Sequence, residues 1–368
     1  MKLVFVTNDI SYYGASRSLR SLIKGLQEVY GNSIDIYLVI PKRLKSKNDF
    51  NAISLWFGVP VPKIHEFCLP FYNNYKGKLE SYYHVLFNLK WKINKKKFYG
   101  FLKKERFDFI QLNSLTLLDV ANSGFPMVLH VRETINELDK SSYIQYKLKE
   151  LRKIIFIDGT TNSALEKFEL PEKCILNNPF SMKELAYVKS SKELIFLQDL
   201  CAGKTVFSLI GKIHKDKGTE FFLNAFKQIE EDNKILLIKG GGNANYVKYL
   251  KSIAPSNAVF LDAGPNVENL YLISDYIVRG EEFPCIGRTT FEALYAGLGV
   301  ILPGNENYYL EHLNDYSRFG KSVYTYNPRD THELISLVQM LKPIDKFDKK
   351  LLSNIPEYVK QFFDFIKK

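Results

Sequence analysis

Between Gly280 and Pro303 the chain reads GEEFPCIGRTTFEALYAGLGVILP, the residue types of an anion site with carboxylates nearby. Gly287-Arg288-Thr289-Thr290 has the composition of a helix start, and Ala293, Leu294 and Ala296 give that helix an apolar face. Gly297 and Gly299 then end it before a short buried strand, Val300-Ile301-Leu302. The first N–H groups of a helix have no partner within it and carry the positive end of its dipole, so they can bind an anion. Glu292, expected on the first turn, would lie beside that anion and accept hydrogen bonds from sugar or ribose hydroxyls. Phosphate and polyol recognised together suggest a nucleotide-sugar. An ordinary helix–strand unit with no ligand suits the same residues.

A second segment favours the ligand. Phe207 to Gly218 reads FSLIGKIHKDKG, a hydrophobic strand, a turn at Gly211, and lysines before the next helix. Lys212 and Lys217, on either side of a tight turn, can converge on a diphosphate as point charges. A solvated basic loop would also explain any one of them.

Together these segments resemble the C-terminal half of the retaining GT-B glycosyltransferases of the family 4 group. Glu292-Ala293 matches the second Glu of that family's Glu-x7-Glu motif, and Gly287-Arg288 matches the Gly-Arg often found inside it. The position expected for the first Glu, which contacts the donor sugar in the family, is Pro284 here. Glu281 and Glu282 lie just upstream, and Glu282 is the candidate for a displaced sugar contact. In the first half, Tyr13-Gly14-Ala15-Ser16-Arg17 resembles the family's Gly-Gly-Ala loop, with Tyr13 in place of the first Gly. His130-Val131-Arg132-Glu133 resembles a His-x-Arg-Glu segment of bacterial members, whose histidine contacts the donor sugar or positions the acceptor.

The resemblance covers nearly the whole chain and implies a role for each match. Gly211, Lys212 and Lys217 would serve the β-phosphate side, and Gly287, Arg288, Thr289 and Thr290 the phosphates at the helix start. Glu292 would take the ribose and Glu282 the sugar. Gly14, Ala15, Ser16, Arg17 and Arg132 would face the acceptor side. His130 and Glu292 are the expected reaction-centre residues. His130, a strand-end histidine, and an Arg132–Glu133 salt bridge also have purely structural readings.

The elements that must position these residues alternate along the chain. Strand-like runs are Leu3–Val6, Ile34–Ile40, Phe107–Leu112, Met127–Val131, Ile154–Ile157 and 174–176 in the first half. Thr205–Ile210, 235–238, Ala258–Leu261, Tyr276–Val278 and 300–302 follow in the second. Alternation with helical segments predicts parallel sheets covered on both faces. The expected organisation is a Rossmann-like acceptor domain (1–180), a Rossmann-like nucleotide-sugar domain (181–345) and a C-terminal segment (346–368). Two such sheets with ligands at their strands' carboxyl ends are the α/β GT-B architecture, with a cleft between domains. Tyr358, Val359, Phe362, Phe363 and Ile366 form one helical stripe, suited to a last helix that crosses back onto the first domain.

With 368 residues, 46% hydrophobic and 25% charged, the chain has the composition of a globular protein of two domains. No apolar run approaches the roughly 20 residues of a membrane helix, and the start shows no signal-peptide pattern. The four cysteines are far apart, which suits a reducing cytoplasm and argues against a disulfide framework or zinc site. The formal charge of +11 calls for an anionic partner or a compositional bias. Residues 82–106 are aromatic and lysine-rich, and three readings stand: aromatics down on an anionic membrane, a plain helix with aromatics in the core, or a nucleic-acid surface.

The function expected is metal-independent transfer of a sugar from a nucleotide-diphosphate donor to an acceptor hydroxyl, with retention. The acceptor would be a glycan or lipid-linked glycan in cell-surface polysaccharide assembly such as capsule or O-antigen. The protein would be cytoplasmic or peripheral on the inner membrane face, without nucleic acid as partner. The competing readings are a nucleotide-sugar epimerase of the same fold and a non-catalytic binding protein.

Overall fold

Val4 and Val6 of the first strand pack into one hydrophobic cluster and Leu3 and Phe5 into another, so this strand is buried on both faces. Alternate side chains of a strand point to opposite faces, and an apolar run without alternation is what a strand between two helical layers needs. The computed structural model describes residues 1–10, 14–42, 47–71, 80–133, 141–163, 165–229, 232–264, 266–345 and 350–367. Tyr13 lies outside them.

The chain divides into two compact units, Met1–Pro179 with Asn354–Lys368, and Phe180–Ser353. The first unit holds β1 (Lys2–Val6), β2 (Asp35–Pro41), β3 (Ile64–Phe67), β4 (Phe109–Leu112), β5 (Met127–Val131), β6 (Lys153–Phe156) and β7 (Glu172–Ile175). They form one parallel sheet in the order β3-β2-β1-β4-β5-β6-β7. The second unit holds β8 (Thr205–Ile210), β9 (Lys234–Lys239), β10 (Ala258–Leu261), β11 (Tyr276–Val278), β12 (Gly299–Pro303) and β13 (Val323–Tyr326). These are also parallel, in the order β10-β9-β8-β11-β12-β13. In each sheet the chain winds outward in one direction, then restarts on the other side of its first strand. The neighbouring strands β1 and β4, and β8 and β11, therefore mark a topological switch point in each sheet, where such sheets bind ligands.

The last helix, Ile355–Lys367, belongs to the first unit although the chain reaches it from the second. Its expected stripe, Tyr358, Val359, Phe362, Phe363 and Ile366, is buried with Leu19, Leu22, Ile23 and Leu26 of the helix Gly14–Tyr30. Phe363 stacks on Tyr30 with ring centroids 4.0 Å apart. Gly25 allows this close crossing, since a Cβ there would stand 2.5 Å from Ile355 Cγ2 and 2.9 Å from Val359 Cγ2. Full burial of each large apolar side chain on the stripe contributes about 1.5–3 kcal/mol.

The long helix Glu80–Glu105 shows where four aromatics of the basic segment go, while the side chains of Tyr82, Tyr83 and Phe87 lie outside those described. Trp91 and Phe98 are buried in the core beside Leu102, and Phe67 and Trp91 meet Phe98 at centroid distances of 5.3 and 5.4 Å. Tyr99 and Phe101 pack against the same cluster. An orientation with these rings down on a membrane is therefore corrected: they are core. Among the described residues, no helix is long and apolar enough to cross a membrane.

Candidate functional site

At the carboxyl edge of the second sheet, the turns that follow β8 and β11 meet backbone to backbone. Gly218 has φ +65°, and a Cβ on it would fall 1.7 Å from the carbonyl oxygen of Gly280. A Cβ on Gly240, just after β9, would fall 1.6 Å from the Gly211 carbonyl oxygen. Gly211 itself has φ +144° and open space where a Cβ would sit. Glycine is required at the first two positions because any side chain would collide with backbone, and at Gly211 because of its dihedral.

Charge gathers on this backbone floor. Glu281, 3% exposed, receives Lys217 Nζ at 3.1 Å and also the guanidinium of Arg279. Burial disfavours its ionisation, but Arg279 and then Lys217 outweigh that and hold its carboxyl below the usual carboxylate range. Arg279 Nη1 also donates to Thr289 Oγ1 at 3.3 Å. Gly287 leaves room for it, since a Cβ there would meet Arg279 Nη1 at 2.0 Å. Burial pushes the Cys285 thiol up to about 11, so it stays protonated beside these charges.

Gly287 precedes the helix Arg288–Tyr295 and has no side chain to cap its first turn. Thr290 Oγ1, the Thr219 hydroxyl and Arg279 Nε are buried without a hydrogen-bond partner among the described residues. The Lys217–Gly218 turn, Arg279, Glu281 and the start of this helix thus come together as one polar patch.

Other expected residues are placed differently. Glu292 is the fifth residue of its helix, on the second turn rather than the first, and it is fully buried. Its carboxylate accepts from Arg288 Nε at 2.8 Å and from the Tyr271 hydroxyl at 2.6 Å. Arg288 is thereby committed to Glu292 and stacks over Phe180 at 4.9 Å. Glu282 is on the surface, paired with Arg329. Lys212 is exposed, with no hydrogen-bond or ion-pair partner among the described residues. Sequence reasoning weighed Glu282 over Glu281 and did not single out Arg279. The available signal was a charged pair directly after a strand, which reads equally as a solvated loop.

In the first unit, the carboxyl ends of β4 and β5 carry a buried polar web. His130, fully buried, receives Arg132 Nη2 at 3.1 Å and Gln111 Nε2 at 3.3 Å on Nδ1. A guanidinium has only donors, so Nδ1 is the acceptor and the ring proton sits on Nε2. Nε2 is buried with no hydrogen-bond partner among the described residues. Burial, reinforced by Arg132, pushes the His130 pKa well below its ordinary value, so the ring is neutral. Arg132 also donates Nε to Asn113 Oδ1 at 3.0 Å and Nη1 to Asn178 Oδ1.

The carboxylate of Glu133 is held by other groups than the Arg132 guanidinium. It takes the Ser114 hydroxyl and the backbone N–H groups of Leu115 (3.0 Å) and Arg132 (3.1 Å). Asn113 Nδ2 reaches the Ala15 carbonyl at 3.4 Å, which ties this web to the start of the helix Gly14–Tyr30. Gly14 is exposed with φ +41°, Arg17 is half-buried, and the buried Ser16 accepts from Trp56 Nε1 at 3.3 Å. Ser16 is thus a packing residue of its helix. Among the described residues, no three His, Cys, Asp or Glu side chains cluster as metal ligands.

No family model matches the chain, and no curated protein matches it by sequence. Solved structures match its fold over the full length. HepE from Anabaena, in complex with UDP and glucose, has a TM-score of 0.71 at 16% identity, with all of both chains covered. A trehalose-6-phosphate protein from E. coli, bound with UDP-2-fluoro glucose, has 0.69 at 11% identity, over 100% of this chain and 99% of that one. A glycosyltransferase from Rickettsia africae has 0.67 at 13% identity, over 100% of this chain and 97% of that one. The two parallel sheets and their helices are the α/β GT-B fold.

Proposed function

We propose that this chain is a glycosyltransferase that moves a sugar from a nucleotide-diphosphate donor to an acceptor hydroxyl, with retention, after the manner of family 4. The observation that carries the reading is the polar patch at the switch point of the second sheet. There, Gly218 and Gly280 bring two turns into backbone contact beside Lys217, Arg279 and an uncapped helix start. Uncapped N–H groups and cations at a floor without side chains suit a diphosphate, whose charge grows as it leaves. The UDP and UDP-sugar complexes of proteins with this fold support the same donor class.

In this reading the bond from the anomeric carbon to the diphosphate oxygen breaks and the bond to the acceptor oxygen forms on the same face. The acceptor proton passes to the departing diphosphate. Lys217, Lys212 and the backbone of Gly287–Thr290 meet the phosphates, with no cofactor beyond the donor. Glu281, oriented by Lys217 and Arg279, takes the sugar-contact role first assigned to Glu282. His130, neutral with its proton on Nε2, offers a fixed donor to the sugar, and Arg132 and Gln111 set that tautomer. Glu292 reaches ribose hydroxyls only if Tyr271 or Arg288 releases it. That engagement favours, as a second reading, a GT-B protein that binds nucleotide without turnover. The acceptor proposed is a lipid-linked glycan of cell-surface polysaccharide synthesis, met by a cytoplasmic protein at the inner membrane face.

The test is release of nucleoside diphosphate from a panel of nucleotide-sugars, with and without lipid-linked glycan acceptors, followed by assignment of the product's anomeric configuration. Acceptor-dependent release with retention is expected. Release of nothing by a protein that binds the nucleotide would favour the second reading.

A further inference from the structure

The helix Glu80–Glu105 shows solvent three large aliphatic side chains: Val85 is 53% exposed, Leu89 50% and Ile93 78%. Spaced four residues apart, they stack along one side of the helix over about 12 Å. Trp91, Phe98 and Leu102 occupy the opposite side and fill the core. Beyond Ile93 the outward face turns basic: Lys96, Lys97, Lys103 and Lys104 are exposed, and Lys90 and Lys92 flank the aliphatic stripe. No Asp or Glu occurs from 81 to 104. The first acidic residue after that, Glu105, is held by Lys2 at 2.5 Å.

The occupant of this face follows from its chemistry. A second copy would set lysine against lysine, in a chain whose net charge is already +11. Nucleic acid would meet the lysines, but a strand of bases needs aromatic rings to stack on, and Trp91 and Phe98 are buried. An anionic bilayer satisfies both halves of the face, since aliphatic side chains reach below the headgroups while ammonium groups stay at the phosphates. We infer that this face of the helix docks onto an anionic phospholipid bilayer, with Val85, Leu89 and Ile93 inserted and the lysines on the headgroups. This docking does not depend on the sugar chemistry and stands or falls apart from it.

The experiment is sedimentation of the full chain with phosphatidylcholine vesicles, with and without phosphatidylglycerol. Two double variants are compared with the parent, Leu89→Asn/Ile93→Asn and Lys96→Glu/Lys97→Glu. The parent is expected to pellet only with the anionic vesicles. The aliphatic pair should weaken binding about tenfold or more at any salt concentration. The lysine pair should weaken it about 25-fold or more at low salt, at about fivefold per lysine. All four positions are exposed, so urea midpoints should match the parent, and binding of nucleoside diphosphate should be unchanged. Several results would overturn the inference: no pelleting, equal pelleting with pure phosphatidylcholine, or parental binding by both variants. So would a dimer lost in Leu89→Asn/Ile93→Asn, or DNA binding that outcompetes the vesicles.

Discussion

At the carboxyl edge of the second sheet the backbone builds the candidate site: Gly218 meets Gly280, Gly240 meets Gly211, and charged side chains sit around that contact. At the carboxyl edge of the first sheet, side chains build it: Gln111, Asn113, His130, Arg132 and Asn178 hold one another in a buried web. The same topology is thus finished in two ways. A floor of glycines lets a ligand approach the backbone closely beside the uncapped helix start at Gly287, which phosphates use. A web of fixed amides and one neutral imidazole, held by the Arg132 guanidinium, offers oriented dipoles, which suits neutral hydroxyls. The first edge should therefore fail by collision and the second by loss of partners.

The largest effect is expected where the two turns touch. Gly218→Ala drives a Cβ into the Gly280 carbonyl at a positive φ and should destabilise by about 3–5 kcal/mol in urea unfolding. Gly211→Ala sharpens the point, because its Cβ meets open space and only backbone strain, about 1–2 kcal/mol, remains. Equal losses for the two would remove the collision argument.

The web should break next. Asn113→Leu takes the acceptor from Arg132 Nε and Gln111 Nε2 and should cost about 2–4 kcal/mol, read from the same transition. Its imidazole also leaves a pH signature. The folded His130 resists the proton that the unfolded residue binds below about pH 6.5, so stability falls as pH drops below that value. His130→Gln should flatten that part of the profile. A profile unchanged by the substitution would mean that His130 is charged or exposed in solution.

Glu281→Gln should have a smaller effect, about 1–3 kcal/mol near neutral pH. The depressed carboxyl of Glu281 contributes fully above its unfolded value of about 4.3 and loses that contribution as pH falls through its folded value. The variant should therefore lose less stability than the parent on acidification below that range. Glu282→Ala, which breaks only the surface pair with Arg329, should leave the transition unchanged and marks the smallest effect.

The sequence carried the sheets' interiors better than their margins. β3 and β13 were not read as strands, and both are edge strands. Ile64–Phe67 carries His65 and Glu66, and Val323–Tyr326 buries only Tyr326, so neither shows the unbroken apolar run of a strand covered on both faces. The last helix was legible because its whole stripe is apolar and needs a partner surface. The candidate site is half legible. Lys217, Gly287 and His130 announce themselves by position beside a strand or helix end. The approach of Gly218 to Gly280 joins residues far apart in sequence, and local pattern contains no trace of it. The choice of Glu281 over Glu282 likewise depends on which side chain turns inward toward Arg279. The basic helix leaves several readings open for a related reason: its buried face takes Trp91 and Phe98 and its outer face carries Val85, Leu89 and Ile93, so periodicity gives no clean polar side.

Calorimetric titration shows whether the polar patch at the glycine floor of the second sheet takes up a nucleoside diphosphate. UDP, GDP, CDP, ADP and dTDP would be titrated into the parent and into Lys217→Ala. One diphosphate should bind the parent selectively, and Lys217→Ala should weaken it about tenfold through loss of a charge-assisted contact, with the fold intact. Failure of all five to bind the folded parent, or equal affinity in Lys217→Ala, would mean that this patch is not a diphosphate site.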